Sequence, residues 1–149
     1  MPALHHAGMT ISEMGRSLAF WRDALGMEIV MDQESRGGYF EAIVGEHGVV
    51  VHTVHLAFGR EGTRVELFEF ASPAGGRHRS RPADVGFAHV CVRVEDGIED
   101  LVARLVAAGG TVSSPGVVEI DRGGNAGGRA LYVRDPDGHV LELFQPPAQ

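Results

Sequence analysis

The feature that most constrains the fold is an internal repeat. The chain reads as a strand, a helix and about three strands, and then as the same series again. The first half opens with "HAGMTI" as a strand, followed by the helix "SEMGRSLAFWRDALG". In that helix Met14, Leu18, Trp21 and Leu25 recur at helical spacing and form one apolar stripe. Ser12 is the predicted N-cap, and Gly26 stands where a helix-ending glycine belongs. Strand-like runs follow at residues 27–31, 39–44, 49–58 and 64–70. Residues 71–84, "ASPAGGRHRSRPAD", are rich in Gly, Pro, Ser and Arg and read as a linker. The second half starts with the strand "FAHVCVRV" and the helix "EDGIEDLVARLVAAGG". Ile98, Leu101, Leu105 and Ala108 lie on one face of that helix. Asp96 with Glu99 forms a capping-box pattern, and Gly109-Gly110 marks the end. Further strands are expected near residues 111–112, 117–120, 129–134 and 139–144, with "DPDG" as a hairpin turn. The predicted class is α+β. Two tandem βαβββ modules, residues 1–70 and 85–149, are joined by a linker at 71–84.

Each module closes on a strand that carries a carboxylate among apolar residues: "VELFEF" with Glu66 and "LELFQP" with Glu142. Each opens with a histidine, His6 and His89. Side chains alternate across a strand. Val90, Val92 and Val94 therefore share one face, suited to packing on the helix, and His89, Cys91 and Arg93 share the other. In the first module Ala7, Met9 and Ile11 face the helix side, and His6, Gly8 and Thr10 face away. Glu66 shares a face with Phe68 and Phe70, and Glu142 shares one with Phe144. A carboxylate beside aromatic rings is costly unless a cation or a proton neutralises it. Two imidazoles and two carboxylates suit one divalent ion such as zinc, nickel, cobalt, manganese or iron. Glu69 has the opposite parity to Glu66 and is expected in solvent. His5, opposite in parity to His6, is expected at the surface or in packing. His47, His52, His55, His78 and His139 have no counterpart in the repeat and are expected at the surface.

Other classes are disfavoured by composition. A formal net charge of −7 does not suit a nucleic-acid backbone as partner. With Cys91 the single cysteine, no internal disulfide forms and a reducing cytoplasm is the expected compartment. The N-terminal "MPALHHAGMT" has no secretory pattern, and no apolar run is long enough to cross a bilayer.

The stretches "HAGMTISEMGRSLAFWRDALGMEIV", "RVELFEF", "FAHVCVRV" and "LYVRDPDGHVLELFQP" together resemble the vicinal-oxygen-chelate superfamily. That group includes glyoxalase I, methylmalonyl-CoA epimerase, bleomycin- and fosfomycin-resistance proteins and extradiol dioxygenases. The resemblance implies paired βαβββ modules curled into a half-open barrel around a metal. It carries the ligand roles onto His6, Glu66, His89 and Glu142. A carboxylate at position 66 favours the glyoxalase and epimerase branch, in which a proton moves next to a metal-chelated carbonyl of a small molecule. The alternatives are a metal-dependent dioxygenase or a drug-binding resistance protein. Thr10 and Phe70 stand where bacterial glyoxalases I carry glutathione-binding Arg and Asn, so a substrate other than a glutathione adduct is implied. Glu142 is the expected base and Glu41 the second candidate. Arg129 is expected on the face of Glu142 if the "DPDG" loop has four residues. A homodimer is the expected assembly.

Overall fold

The computed structural model describes residues 1–59 and 62–148. The chain divides into two compact units, Met1–His78 and Arg79–Gln149. In the first, β1 (His6–Ile11), β2 (Glu28–Arg36), β3 (Val50–Ala57) and β4 (Arg64–Ser72) form one sheet in the order β1-β4-β3-β2. β1 runs parallel to β4, and the other neighbours are antiparallel. In the second, β5 (His89–Arg93), β6 (Thr111–Val112), β8 (Arg129–Arg134) and β9 (Val140–Gln145) repeat the arrangement in the order β5-β9-β8-β6, and β7 (Val118–Glu119) pairs with β8. Again the first and last strands are parallel. The predicted α+β repeat is thus observed, with each βαβββ series forming its own open sheet. Among the described residues no helix is long and apolar enough to cross a membrane.

Alternation sets the core. Val65 and Leu67 of β4, with Val54 and Leu56 of β3, are buried beside Ile11. Over this face runs α1 (Met14–Leu18), continuing as a π-helical stretch, Ala19–Ala24, with Phe20 and Trp21 fully buried. The helix starts one residue later than Ser12 predicts. Glu13 is the N-cap, its carboxylate accepting from the Gly15 and Arg16 amides, while the Ser12 hydroxyl accepts from the Arg16 guanidinium. Glu69 is not a solvated strand residue either. It is half-buried and accepts from the Met14 amide at 3.0 Å, tying the helix start to β4. Gly26, at φ +93°, ends the helical run as expected.

Residues 39–44 were expected as a strand and form α2 (Tyr39–Val44). A six-residue apolar run has no decisive period. Here the flanking glycines decide: Gly38 is the N-cap, and Gly45, at φ +72°, supplies a left-handed C-cap. Glu41, a candidate base, lies in this helix and accepts from the Val49 amide at 2.9 Å. Phe40 packs with Val49, Val51, Phe68 and Phe70 in a second apolar cluster on the far face of the sheet.

In the second unit α3 (Ile98–Ala107) buries Ile98, Leu101 and Leu105, alongside the buried Leu131, Val133, Leu141 and Leu143 of β8 and β9. The expected capping box does not form. The N-cap is Gly97 in a left-handed conformation, and the Glu99 carboxylate accepts from Arg129 on β8 instead. That ion pair holds Glu99 below the usual carboxylate range.

Candidate metal centre

In the first unit the outer face of the sheet carries His6, Glu66 and a residue that parity within one strand did not single out, His55. The parallel register sets β1 beside β4, and the antiparallel register puts His55 directly opposite Glu66. His6 Nε2 lies 3.1 Å from Glu66 Oε2, and His55 Nε2 lies 2.7 Å from Glu66 Oε1. One carboxylate is therefore held at both oxygens by two imidazoles. The Glu66 side chain is 12% exposed and that of His55 7%, so the expectation of a surface His55 is overturned. Its burial follows from a cross-strand partner that could not be assigned before the β3–β4 register was known. His5 also approaches, its Nδ1 2.7 Å from His6 Nδ1. The His6 and His55 ring centroids are 5.4 Å apart.

Gly8 permits this close approach. A Cβ there would sit 3.2 Å from Phe68 Cε2 and 3.3 Å from Glu66 Oε2, so a larger residue at this position requires both side chains to shift by a few tenths of an ångström. Two buried polar atoms on β3, Thr53 Oγ1 and His55 Nδ1, have no hydrogen-bond partner among the described residues.

The second unit carries the matching pair. His89 Nε2 is 2.9 Å from Glu142 Oε2. Cys91, opposite Glu142 in the β5–β9 register, shares this face. Burial first, and then the Glu142 carboxylate, push its thiol up to about 11, so at neutral pH it is a hydrogen-bond donor to Glu142 rather than a thiolate. The β8–β9 register places Tyr132 opposite Glu142. Its ring lies against His89 at 5.2 Å between centroids, and Phe87 flanks His89 at 6.0 Å. Burial and the Glu142 charge raise the Tyr132 phenol, keeping it a donor. A cavity of about 710 Å³ opens beside this pair, lined by Arg79, Ser113, Ser114, Tyr132, Arg134 and Glu142 among others. That volume suits a small-molecule ligand.

Arg129 does not share the Glu142 face. The turn after β8 has five residues, not four: the Asp135 carboxylate accepts from the Asp137 and His139 amides, and the Asp135 amide donates to the His139 carbonyl. Arg134 consequently pairs with Val140 and Tyr132 with Glu142. The one-residue change reverses the facing of the whole strand. Arg129 turns to α3 and Glu99.

The donor chemistry of both pairs fits a borderline divalent ion. Two ligand atoms about 2.1 Å from a metal and at right angles to each other lie roughly 3.0 Å apart. The His6–Glu66 and His89–Glu142 separations, 3.1 and 2.9 Å, match that spacing. Among the described residues no group of three or more His, Cys, Asp or Glu side chains is arranged to hold an ion.

The chain is 30% identical to a 2-epi-5-epi-valiolone epimerase from Actinomyces sp. over 151 residues, which cover 98% of this chain and 80% of that protein. It is 23% identical to a probable lactoylglutathione lyase from Vibrio parahaemolyticus, over 94% of this chain and 88% of the relative. Its fold matches a glyoxalase family protein from Bacillus cereus with a TM-score of 0.83 at 20% identity, covering 99% of this chain and 96% of the other. The family described as the Glyoxalase/Bleomycin resistance protein/Dioxygenase superfamily matches residues 3–143, nearly the whole length, and the chain belongs to it.

Proposed function

We propose that the protein is a divalent-metal-dependent lyase or isomerase that moves a proton next to the carbonyl of a small molecule. His6, Glu66, His89 and Glu142 supply the metal ligands. The observation that carries this reading is the duplicated His–Glu pair: the first and last strands of both units present an imidazole and a carboxylate at cis-ligand spacing. The epimerase and lactoylglutathione lyase relatives support the reaction class. When bound, the ion supplies Lewis acidity to a substrate oxygen. This chain's residues do the rest. His6 presents Nε2 on the side of Glu66 Oε2, and its Nδ1 meets His5 Nδ1 at 2.7 Å, a contact that orients the ring. Tyr132 and Phe87 hold the His89 ring. Glu142, on the wall of the cavity, takes the proton from the carbon next to the carbonyl and returns it, to the opposite face of the same carbon in an epimerisation or to the neighbouring carbon in a glyoxalase-type shift.

Metal-reconstituted protein is expected to hold roughly one divalent ion per chain, with four protein ligands. His89→Ala should weaken binding by more than the about 10–100-fold that outer-shell changes cost. Elemental analysis showing no ion in the reconstituted wild type would sink the site. The chemistry is tested by proton exchange in deuterated water over a panel of hydroxy- and oxo-compounds, with zinc or nickel and without oxygen. Exchange should persist under anaerobiosis. A strict need for O₂ and Fe²⁺ would mark a dioxygenase instead.

We propose a homodimer. Light scattering at micromolar concentration should give about twice the 15.9 kDa chain mass, and a mass near that of one chain refutes it.

A further inference from the structure

Glu66 has two oxygens and two imidazole neighbours, and the two contacts differ in kind. His6 is substantially exposed, its side chain 40% open to solvent, and it sits at the sheet edge on β1. His55 is interior: it lies on β3, buried, with its Nε2 2.7 Å from Oε1. Its other nitrogen, Nδ1, is buried without a partner among the described residues. A neutral imidazole has one donor and one acceptor. The short contact to a carboxylate requires the proton on Nε2, which leaves Nδ1 as a bare acceptor. His55 is thus committed to Glu66 by its only donor. We infer that His55 is a positioning residue: it anchors Oε1 from the interior and leaves Oε2, the oxygen facing His6, as the atom offered to a metal.

Three observations converge on this role. The register places His55 and Glu66 directly across from each other, so no backbone movement is needed to make the contact. Thr53, two residues earlier on the same face, is also buried, so the strand has little freedom to withdraw. Gly8 leaves room for the carboxylate on its other side, and among the described residues His55 is the side chain that meets Oε1. A ligating carboxylate free to rotate presents either oxygen, or both, and binds less selectively than one locked by a neighbour. Among the described residues Glu142 meets one imidazole, His89 at 2.9 Å, and its other neighbours are Cys91 and Tyr132. The two carboxylates are therefore held differently: Glu66 meets an imidazole at each oxygen, whereas Glu142 meets one imidazole with a thiol and a phenol beside it, which suits the one that must accept a proton.

This inference rests on the metal reading proposed above. The test is metal affinity of the full chain for Zn²⁺ and Ni²⁺, measured by competition with a chromophoric chelator, for wild type, His55→Leu and His55→Gln. Leucine fills the buried site without a donor. Glutamine places an amide N–H near the position of Nε2. Folding of each variant is followed by circular dichroism and thermal melting. His55→Leu should weaken affinity about 10–100-fold, and His55→Gln should recover most of that loss. An affinity of His55→Leu equal to wild type overturns the role. So does an equal loss in both variants with unchanged melting, because the hydrogen bond then is not what matters. A wild type that binds neither ion refutes the site itself, and this inference with it. If leucine prevents folding, the glutamine variant decides: wild-type affinity supports the role, and a loss with native melting overturns it.

Discussion

Glu142→Gln is expected to lower turnover by about 10²–10⁴-fold, the usual contribution of a positioned general base. Glutamine keeps the shape of the side chain and removes its capacity to take a proton. The fold should survive, because Glu142 is half-buried at a cavity wall while Leu141 and Leu143, the neighbours that pack into the core, are untouched. Some metal should remain, since three of the proposed ligands are unchanged and the amide oxygen is a weaker donor. Turnover is measured on whichever compound of the panel the wild type converts, alongside metal content. A variant that keeps the full rate removes Glu142 from the role of base. A variant that loses turnover only in step with its metal makes Glu142 a ligand and nothing more.

Trp21→Ala should destabilise the protein by about 3–5 kcal/mol, the range for deleting a buried large aromatic side chain. Trp21 is fully buried in the π-helical stretch, and its ring meets Phe20 edge-on at 5.4 Å between centroids. Truncation leaves a void that a close-packed interior fills only in part by small shifts. A loss of this size is a large share of a typical domain's stability. Denaturant unfolding followed by circular dichroism gives the difference. A change below about 1 kcal/mol would mean that the helical segment contributes little to the core.

The helix over 14–25 and the helix of the second unit were legible because a 3.6-residue stripe extends over several turns in each. Strand parity likewise put His6, Glu66, His89 and Glu142 on the faces turned away from the helices, and the structure brings each histidine next to the glutamate of its own unit. His55 and Tyr132, which parity within a strand does not single out, meet the carboxylates through contact between strands. Glu41 was read as part of a strand because six apolar residues carry too little periodicity to separate strand from helix. The flanking Gly38 and Gly45 were the available signal.

The sequence by itself determined the repeated strand, helix and strands, apart from α2, and which residues of one strand share a face, because both follow from local backbone geometry. Register was left to the tertiary structure. Whether Glu142 sits opposite Leu131 or Tyr132 turned on one residue in the Asp135–His139 turn, settled by the Asp135 carboxylate capping two amides. Whether His55 faces Glu66 turned on the β3–β4 pairing, which carries an irregularity between Val50 and Val51. A shift of one residue in either place costs little locally but exchanges every side chain between the two faces of a sheet. Burial of the full apolar set on one face favours the same register, the one that puts His55 and Tyr132 beside the two carboxylates.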